Sequence, residues 1–222
     1  MFNHVELNLP SLERELIDGV RYYKVPGNGE LQKFVSITSI TSHFSREKFA
    51  AWRKKVGDEE ADRITRKATS RGTDAHTLIE QHLKNTTLSD DVLPISKHLF
   101  QVAVPALNRI NNIHALEGSL YSQYLGVAGT VDCIAEFDGE LSIIDFKTSK
   151  QPKPREWIDG YFVQCCAYAC MLHELTGLSV KKFVIIMTCE NGEVEVYEEY
   201  DKAKYIRLLT QYIKKFVNDK TS

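Results

Sequence analysis

The chain has 222 residues, 43% of them hydrophobic, and a formal net charge of −2. That length supports one sizeable core rather than two. The near-neutral charge excludes recruitment of a polyanion by bulk charge, so nucleic-acid binding would need local basic patches or a bound metal. No apolar run approaches the roughly 18 residues of a membrane span, and the N-terminus lacks a basic-then-apolar signal pattern. The expectation is a protein of the cytoplasm with no membrane partner.

Arg21 to Val25 and Lys33 to Ile37 are rich in β-branched and aromatic residues and flank Pro26-Gly27-Asn28-Gly29, which predicts a hairpin. From Arg46 to Asn85 helix formers dominate, with a break at Gly57 and a new N-terminus at Asp58-Glu59-Glu60, where acidic residues suit the helix dipole. A further helix is predicted from Pro94 to His114, after which strand alternation begins near Leu116. Leu116 to Gln123, Val127 to Phe137 and Glu140 to Lys147 then read as three antiparallel strands, with Asp138-Gly139 as a two-residue turn. A helix from Glu156 to Leu175 and strands Lys181 to Thr188 and Glu193 to Tyr200 follow. In the last helix Tyr205, Leu208, Leu209, Tyr212, Ile213 and Phe216 form an apolar stripe expected to pack on the sheet. Nothing marks a domain linker.

Five cysteines, Cys133, Cys165, Cys166, Cys170 and Cys189, form no C-x-x-C pair. Their odd number predicts free thiols in a reducing compartment, although three within six residues leave a metal–thiolate site as the sharper alternative.

The Asp138-Gly139 turn sets Asp132 opposite Asp145, in a pair whose Cα atoms would lie about 4.5 Å apart. Two carboxylates so placed repel, and a cation held between them relieves the cost. Mg²⁺ prefers such oxygens and can bridge to phosphate. Lys147, two residues beyond Asp145, shares its strand face. The same residues, taken alone, equally describe a polar strand edge and an ordinary surface ion pair. Against that, Leu141-Ser142-Ile143-Ile144 makes an apolar approach to Asp145, and Ile134 and Ile143 share the acids' face.

The order Gly129-Thr130-Val131-Asp132, Asp145-Phe146-Lys147 and Gln164-x-x-x-Tyr168 resembles the RecB-like branch of the PD-(D/E)XK nuclease superfamily. The likeness extends to Val35 to Ile40 and to Arg71-Gly72-Thr73-Asp74-Ala75-His76. Through Asp145 to Ser149 followed by Pro152-Lys153-Pro154 it points within that branch to the mitochondrial genome maintenance and small bacteriophage exonucleases.

The resemblance implies an α/β restriction-endonuclease-like core, a central mixed sheet flanked by helices, with an N-terminal hairpin and helical arch. One nuclease domain would span 1–222, residues 1–115 forming the hairpin and helical region and 116–222 the catalytic core. It implies a metal, Mg²⁺ or Mn²⁺, held by His76, Asp132, Asp145 and the carbonyl of Phe146. Lys147 would be the catalytic lysine, organised by Gln164 and Tyr168, and Glu117 an assisting acid entering the sheet. His76 alone would as readily be a packing residue. The upstream cysteine of the family's iron–sulfur members is missing, so no such cluster is carried over. A phage member would work in the host cytoplasm.

The partner implied is DNA, with a preference for single strands. Trp52 and the helical series Arg63, Arg66, Lys67 and Arg71 offer a ring for bases and charge for phosphates, and Lys150, Lys153 and Arg155 offer a second track. Each of these also fits a solvated helix face or a core aromatic. The expected function is a metal-dependent DNA exonuclease. A duplex-end or structure-specific endonuclease and a non-cleaving DNA-binding module are the alternatives.

Overall fold

Val127 to Phe137 carries apolar residues on both of its faces, and this strand becomes the centre of the sheet. The computed structural model describes residues 1–27 and 29–221. Asn28, in the expected hairpin turn, lies outside them. In chain order the elements are β1 (Glu13–Ile17), β2 (Val20–Pro26), β3 (Leu31–Ser36), α1 (Ile37–Val56), α2 (Asp58–Leu83), α3 (Pro94–Leu107), β4 (Ile110–Ser122), β5 (Val127–Phe137), β6 (Glu140–Ser149), α4 (Asp159–Thr176), β7 (Lys182–Cys189), β8 (Val194–Glu199) and α5 (Lys202–Thr221). A single 3-10 turn, Arg155–Trp157, precedes α4.

The sheet is mixed: β1, β2 and β3 form an antiparallel meander, β3 and β6 join β5 and β7 respectively in parallel, and β8 closes the far edge. One face carries a core of Ile134, Ile143, Phe183 and Ile185 under α1, α4 and α5. The other carries Cys133, Ile144, Phe146 and Val184 under α2 and α3. The result is a central mixed sheet between two helical layers.

The sheet forks at β5. Along one edge β4 runs antiparallel to it, while the other edge is shared, β3 taking Val127 and Ala128 and β6 taking Cys133 to Phe137. Gly129 to Asp132 lie between these two partners, opposite neither.

Several boundaries differ from the sequence reading. α1 begins at Ile37 rather than Arg46, because the buried Ser36 hydroxyl caps it by accepting a hydrogen bond from the Thr38 amide. β1 was not foreseen: Arg-Glu-Leu-Ile has little strand character alone and is held by pairing with β2. α3 stops at Leu107, and β4 starts at Ile110 instead of Leu116. There Ile110 and Asn111 pair with Phe137 and Glu136, and the Arg109 carbonyl accepts from the Asp138 amide, so a distant hairpin tip draws in residues whose apolar spacing reads as helix. The α5 stripe packs on α4 and α1 and meets the sheet through Phe183, against which Tyr205 sets its ring, rather than lying on the sheet directly.

Gly129 is required for close approach. A Cβ there would sit 2.7 Å from Tyr168 Cε1 and 3.1 Å from Ile37 Cγ2, and both neighbours are fully buried. Overpacking of such a site costs about 1–3 kcal/mol. Gly129→Ala is therefore expected to lower the melting temperature by several degrees in thermal denaturation, and an unchanged value would contradict this packing.

Candidate active site

The β5–β6 ladder keeps the register set by Asp138-Gly139 as far as Cys133 opposite Ile144, and there it stops. The next residues, Asp132 and Asp145, do not form the expected cross-strand pair. Instead Asp132 Oδ2 accepts a hydrogen bond from the Phe146 amide at 2.9 Å, a side chain taking the place of a strand partner. The two acids consequently face different partners.

His76 reaches this point from α2. Its Nε2 lies 2.9 Å from the Phe146 carbonyl oxygen and its Nδ1 3.8 Å from Asp132 Oδ2. With Nε2–H donating to that carbonyl, Nδ1 is left as an acceptor on the side of the carboxylate. Glu117 joins them from β4, where its backbone adopts φ 51°, a left-handed conformation costly for a glutamate. One ligand atom from each of His76, Glu117 and Asp132 falls within 4.8 Å of the other two. Partial desolvation in the cavity, then the charges of Asp132 and Glu80, push the Glu117 carboxyl up to about 7.

Asp145 lies beneath this group, 1% exposed. Its Oδ1 accepts from Gln164 Nε2 at 3.1 Å, and Gln164 also approaches the Tyr168 hydroxyl. Lys147 Nζ stands 2.5 Å from Asp145 Oδ2, yet that oxygen receives no aligned hydrogen bond. Burial raises the proton affinity of Asp145, the Lys147 ammonium opposes the rise and the Asp132 charge adds to it. Burial disfavours the charged lysine, but Asp145 and Asp132 together more than offset that, so Lys147 remains an ammonium. Tyr168, fully buried near both acids, is held well above its ordinary pKa and stays a phenol.

These groups open into a cavity of about 570 Å³. Thr69, Thr73 and His76 of α2 form one wall, and Arg14 of β1 and Arg21 of β2 lie on another. The structure thus brings together Asp132, Asp145, Lys147, Gln164, Tyr168, His76 and the Phe146 backbone. Glu117, named from the sequence only as an assisting acid, belongs to the three-residue cluster, whereas Asp145 does not. The sequence names neither Arg14 nor Arg21 as a site residue: β1, which carries Arg14, has no strand signature of its own, and Arg21 reads only as the start of a strand.

One imidazole nitrogen and clustered carboxylate oxygens are a donor set suited to a hard divalent cation. The left-handed Glu117 backbone is a local cost that binding such an ion would offset.

The expected DNA contacts lie on α1, α2 and the segment after β6. Arg63 is bound by Glu60 and Arg71 by Glu190, and Trp52 packs on Phe49 at 5.3 Å between ring centroids. Arg66 and Lys67 are exposed on α2, Lys150 is exposed after β6, and Lys153 hydrogen-bonds the Tyr161 hydroxyl.

Residues 97–220 match the family model of the PD-(D/E)XK nuclease superfamily. The chain belongs to that superfamily. It is 30% identical over 125 residues to human mitochondrial genome maintenance exonuclease 1, covering 50% of this chain and 36% of that protein. Its identity to the protein of that name from Mus musculus is 44% over 48 residues, 22% of this chain and 14% of that one. The chain therefore spans about a third of the human relative or less of the other. A solved structure of a candidate exonuclease from Eubacterium rectale aligns over 68% of this chain and 65% of its own, at TM-score 0.43 and 12% identity. No helix among the described residues is long and apolar enough to cross a membrane.

A carboxyl whose pKa is raised by folding favours the folded state below its unfolded pKa, and that advantage is lost as pH rises through the folded value. For Glu117 the window runs from about 4.5 to about 7. In EDTA, Glu117→Gln should therefore melt above the wild type at pH 8 and alongside it at pH 4. Adding Mn²⁺ at pH 8 should raise the wild-type melting temperature and move the variant far less. A variant stabilised by Mn²⁺ as strongly as the wild type would remove Glu117 from the cluster.

Proposed function

We propose that this chain is a metal-dependent exonuclease that hydrolyses phosphodiester bonds at the free ends of single-stranded DNA, using Mg²⁺ or Mn²⁺. The observation that carries the reading is the convergence of His76, Glu117 and Asp132 beside the Asp145–Lys147 pair, in one open cavity of a PD-(D/E)XK nuclease. His76, Glu117 and Asp132 would hold the cation, with the Phe146 carbonyl and Asp145 close by. When bound, the cation supplies Lewis acidity, drawing charge from the phosphate and making water a better nucleophile at neutral pH.

The remaining chemistry follows from the side chains. Asp145 holds the Lys147 ammonium in place, and Gln164 fixes the rotamer of Asp145 from the opposite side. Lys147 lines the cavity and keeps its proton, so it offers N–H donors to a non-bridging phosphate oxygen as negative charge grows there. It also positions the attacking water. Tyr168 closes the floor of the site against Gly129, keeping water from the buried Asp145–Gln164 pair beneath the lysine. Direct attack by water needs no covalent enzyme intermediate.

Removing one electrostatic group of this kind costs about two to three orders of magnitude in turnover. Lys147→Ala should lose at least one hundred-fold on end-labelled linear single strands while keeping the rise in melting temperature that Mn²⁺ gives the wild type. Asp132→Ala should lose both, and EDTA should abolish wild-type cleavage. Near-normal turnover by Lys147→Ala would refute the role given to the lysine, and cutting of closed circles as fast as linear DNA would refute an exonuclease.

A further inference from the structure

A second and larger concavity, about 1210 Å³, adjoins the cavity of the candidate site. The two share Arg21, Thr38, Lys147 and Gln164, so the groove begins at the lysine and leads away from it between α1 and the start of α4. Its walls hold Trp157, 69% exposed on the 3-10 turn, and Phe49, 45% exposed on α1. Phe49 is backed by Trp52, and the floor includes Phe44 stacked on Tyr212 with ring centroids 3.7 Å apart. A rigid aromatic floor with a large exposed indole above it has no evident structural purpose. An exposed aromatic by itself is ordinary, but Trp157 and Phe49 share one groove with the Phe44–Tyr212 stack, and such a grouping marks a binding surface.

The charge of the groove points to what that is. Arg46 and Lys48 of α1 and Lys220 of α5 line it, all three exposed and without an ion-pair partner among the described residues. Asp18, Glu156 and Asp159 are its acids, and Asp159 is already bound by Arg155 and Lys204. The groove therefore keeps an excess of uncommitted positive charge. On α2, by contrast, Arg63 and Arg71 are paired with acids, and the exposed Arg66 and Lys67 line neither cavity. Flat aromatic surfaces bordered by unpaired cations are the pattern that binds bases by stacking and a phosphate backbone by charge, without reading sequence.

We infer that this groove is the track for the single strand on one side of the scissile phosphate, with Trp157 as its stacking platform and Arg46, Lys48 and Lys220 along its backbone. This rests on the exonuclease reading above and adds to it where the strand lies. Trp157 lines the same groove as Lys147 and follows it closely in the chain, residues 150–154 connecting the end of β6 to the turn that carries the indole. The residues that approach the phosphate and the residue that stacks the neighbouring base thus lie on one short segment.

The test is steady-state cleavage of oligothymidylates by the intact chain with Mn²⁺. Trp157→Ala should raise KM about five-fold or more, the scale of one lost base stack, with kcat within about two-fold of wild type. Trp157→Phe should recover most of the loss. Tyr124→Ala, which removes an aromatic 91% exposed and outside the groove, should leave KM unchanged. The double variant Arg46→Ala, Lys48→Ala should flatten the dependence of KM on salt. On DNA that the wild type cuts, a Trp157→Ala KM equal to the wild type's would overturn the track, and so would a fall in kcat at unchanged KM. A wild-type protein that cuts no DNA at all would instead bring down the exonuclease reading and this inference with it.

Discussion

Everything at the candidate site depends on the hydrogen bond from the Phe146 amide to Asp132. It is made because β6 leaves β5 after Cys133, and an amide at the mouth of a fork needs an acceptor. By supplying one, Asp132 fixes its own carboxylate at the fork and fixes the backbone of the strand that carries Asp145 and Lys147. The carbonyl of the same residue takes the His76 imidazole, so one peptide segment orients two candidate ligands from two different elements. The fork itself follows from β3 and β6 sharing an edge of β5, with Gly129 to Asp132 left between them.

Much of this geometry was legible in the sequence, and the part that was not has a common cause. The Asp138-Gly139 turn sets the register of β5 and β6 correctly from Phe137 to Cys133, because a two-residue hairpin leaves little freedom. The same count fails at the next pair, since a local rule cannot see that a third strand competes for the edge. The motifs at Asp132, Asp145, Lys147, Gln164 and Tyr168 lie where the strand and helix assignments put them. Their division into two groups, one around His76 and Glu117 and one around Lys147, comes from side-chain hydrogen bonds between elements far apart in the chain.

Glu117 shows the limit most clearly. In the sequence it is one acid in a strand. Its importance arises from a two-residue shift of β4 against β5 between Asn111 and Ala115 and from a left-handed backbone at Glu117 itself. The left-handed residues at these irregularities, Asn112 and Glu117, are not themselves glycines. Likewise Arg14 and Arg21 reach the cavity only because β1 and β2 add to the edge of β3. The basic series on α2 is plain in the sequence, yet Glu60 and Glu190 engage two of its arginines, an outcome that only the folded chain displays.

The electrostatic cost of the arrangement is the best guide to its purpose. Glu117, Asp132 and Asp145 stand close enough that each raises the proton affinity of a neighbour or has its own raised, and one lysine cannot neutralise all three. A divalent cation would. The most direct measurement is a crystal structure of the wild-type chain grown with Mn²⁺, with diffraction recorded at energies on either side of the manganese absorption edge. The account predicts an anomalous peak among His76 Nδ1 and the carboxylates of Glu117 and Asp132; an occupied manganese site elsewhere, with none at this cluster, would contradict it.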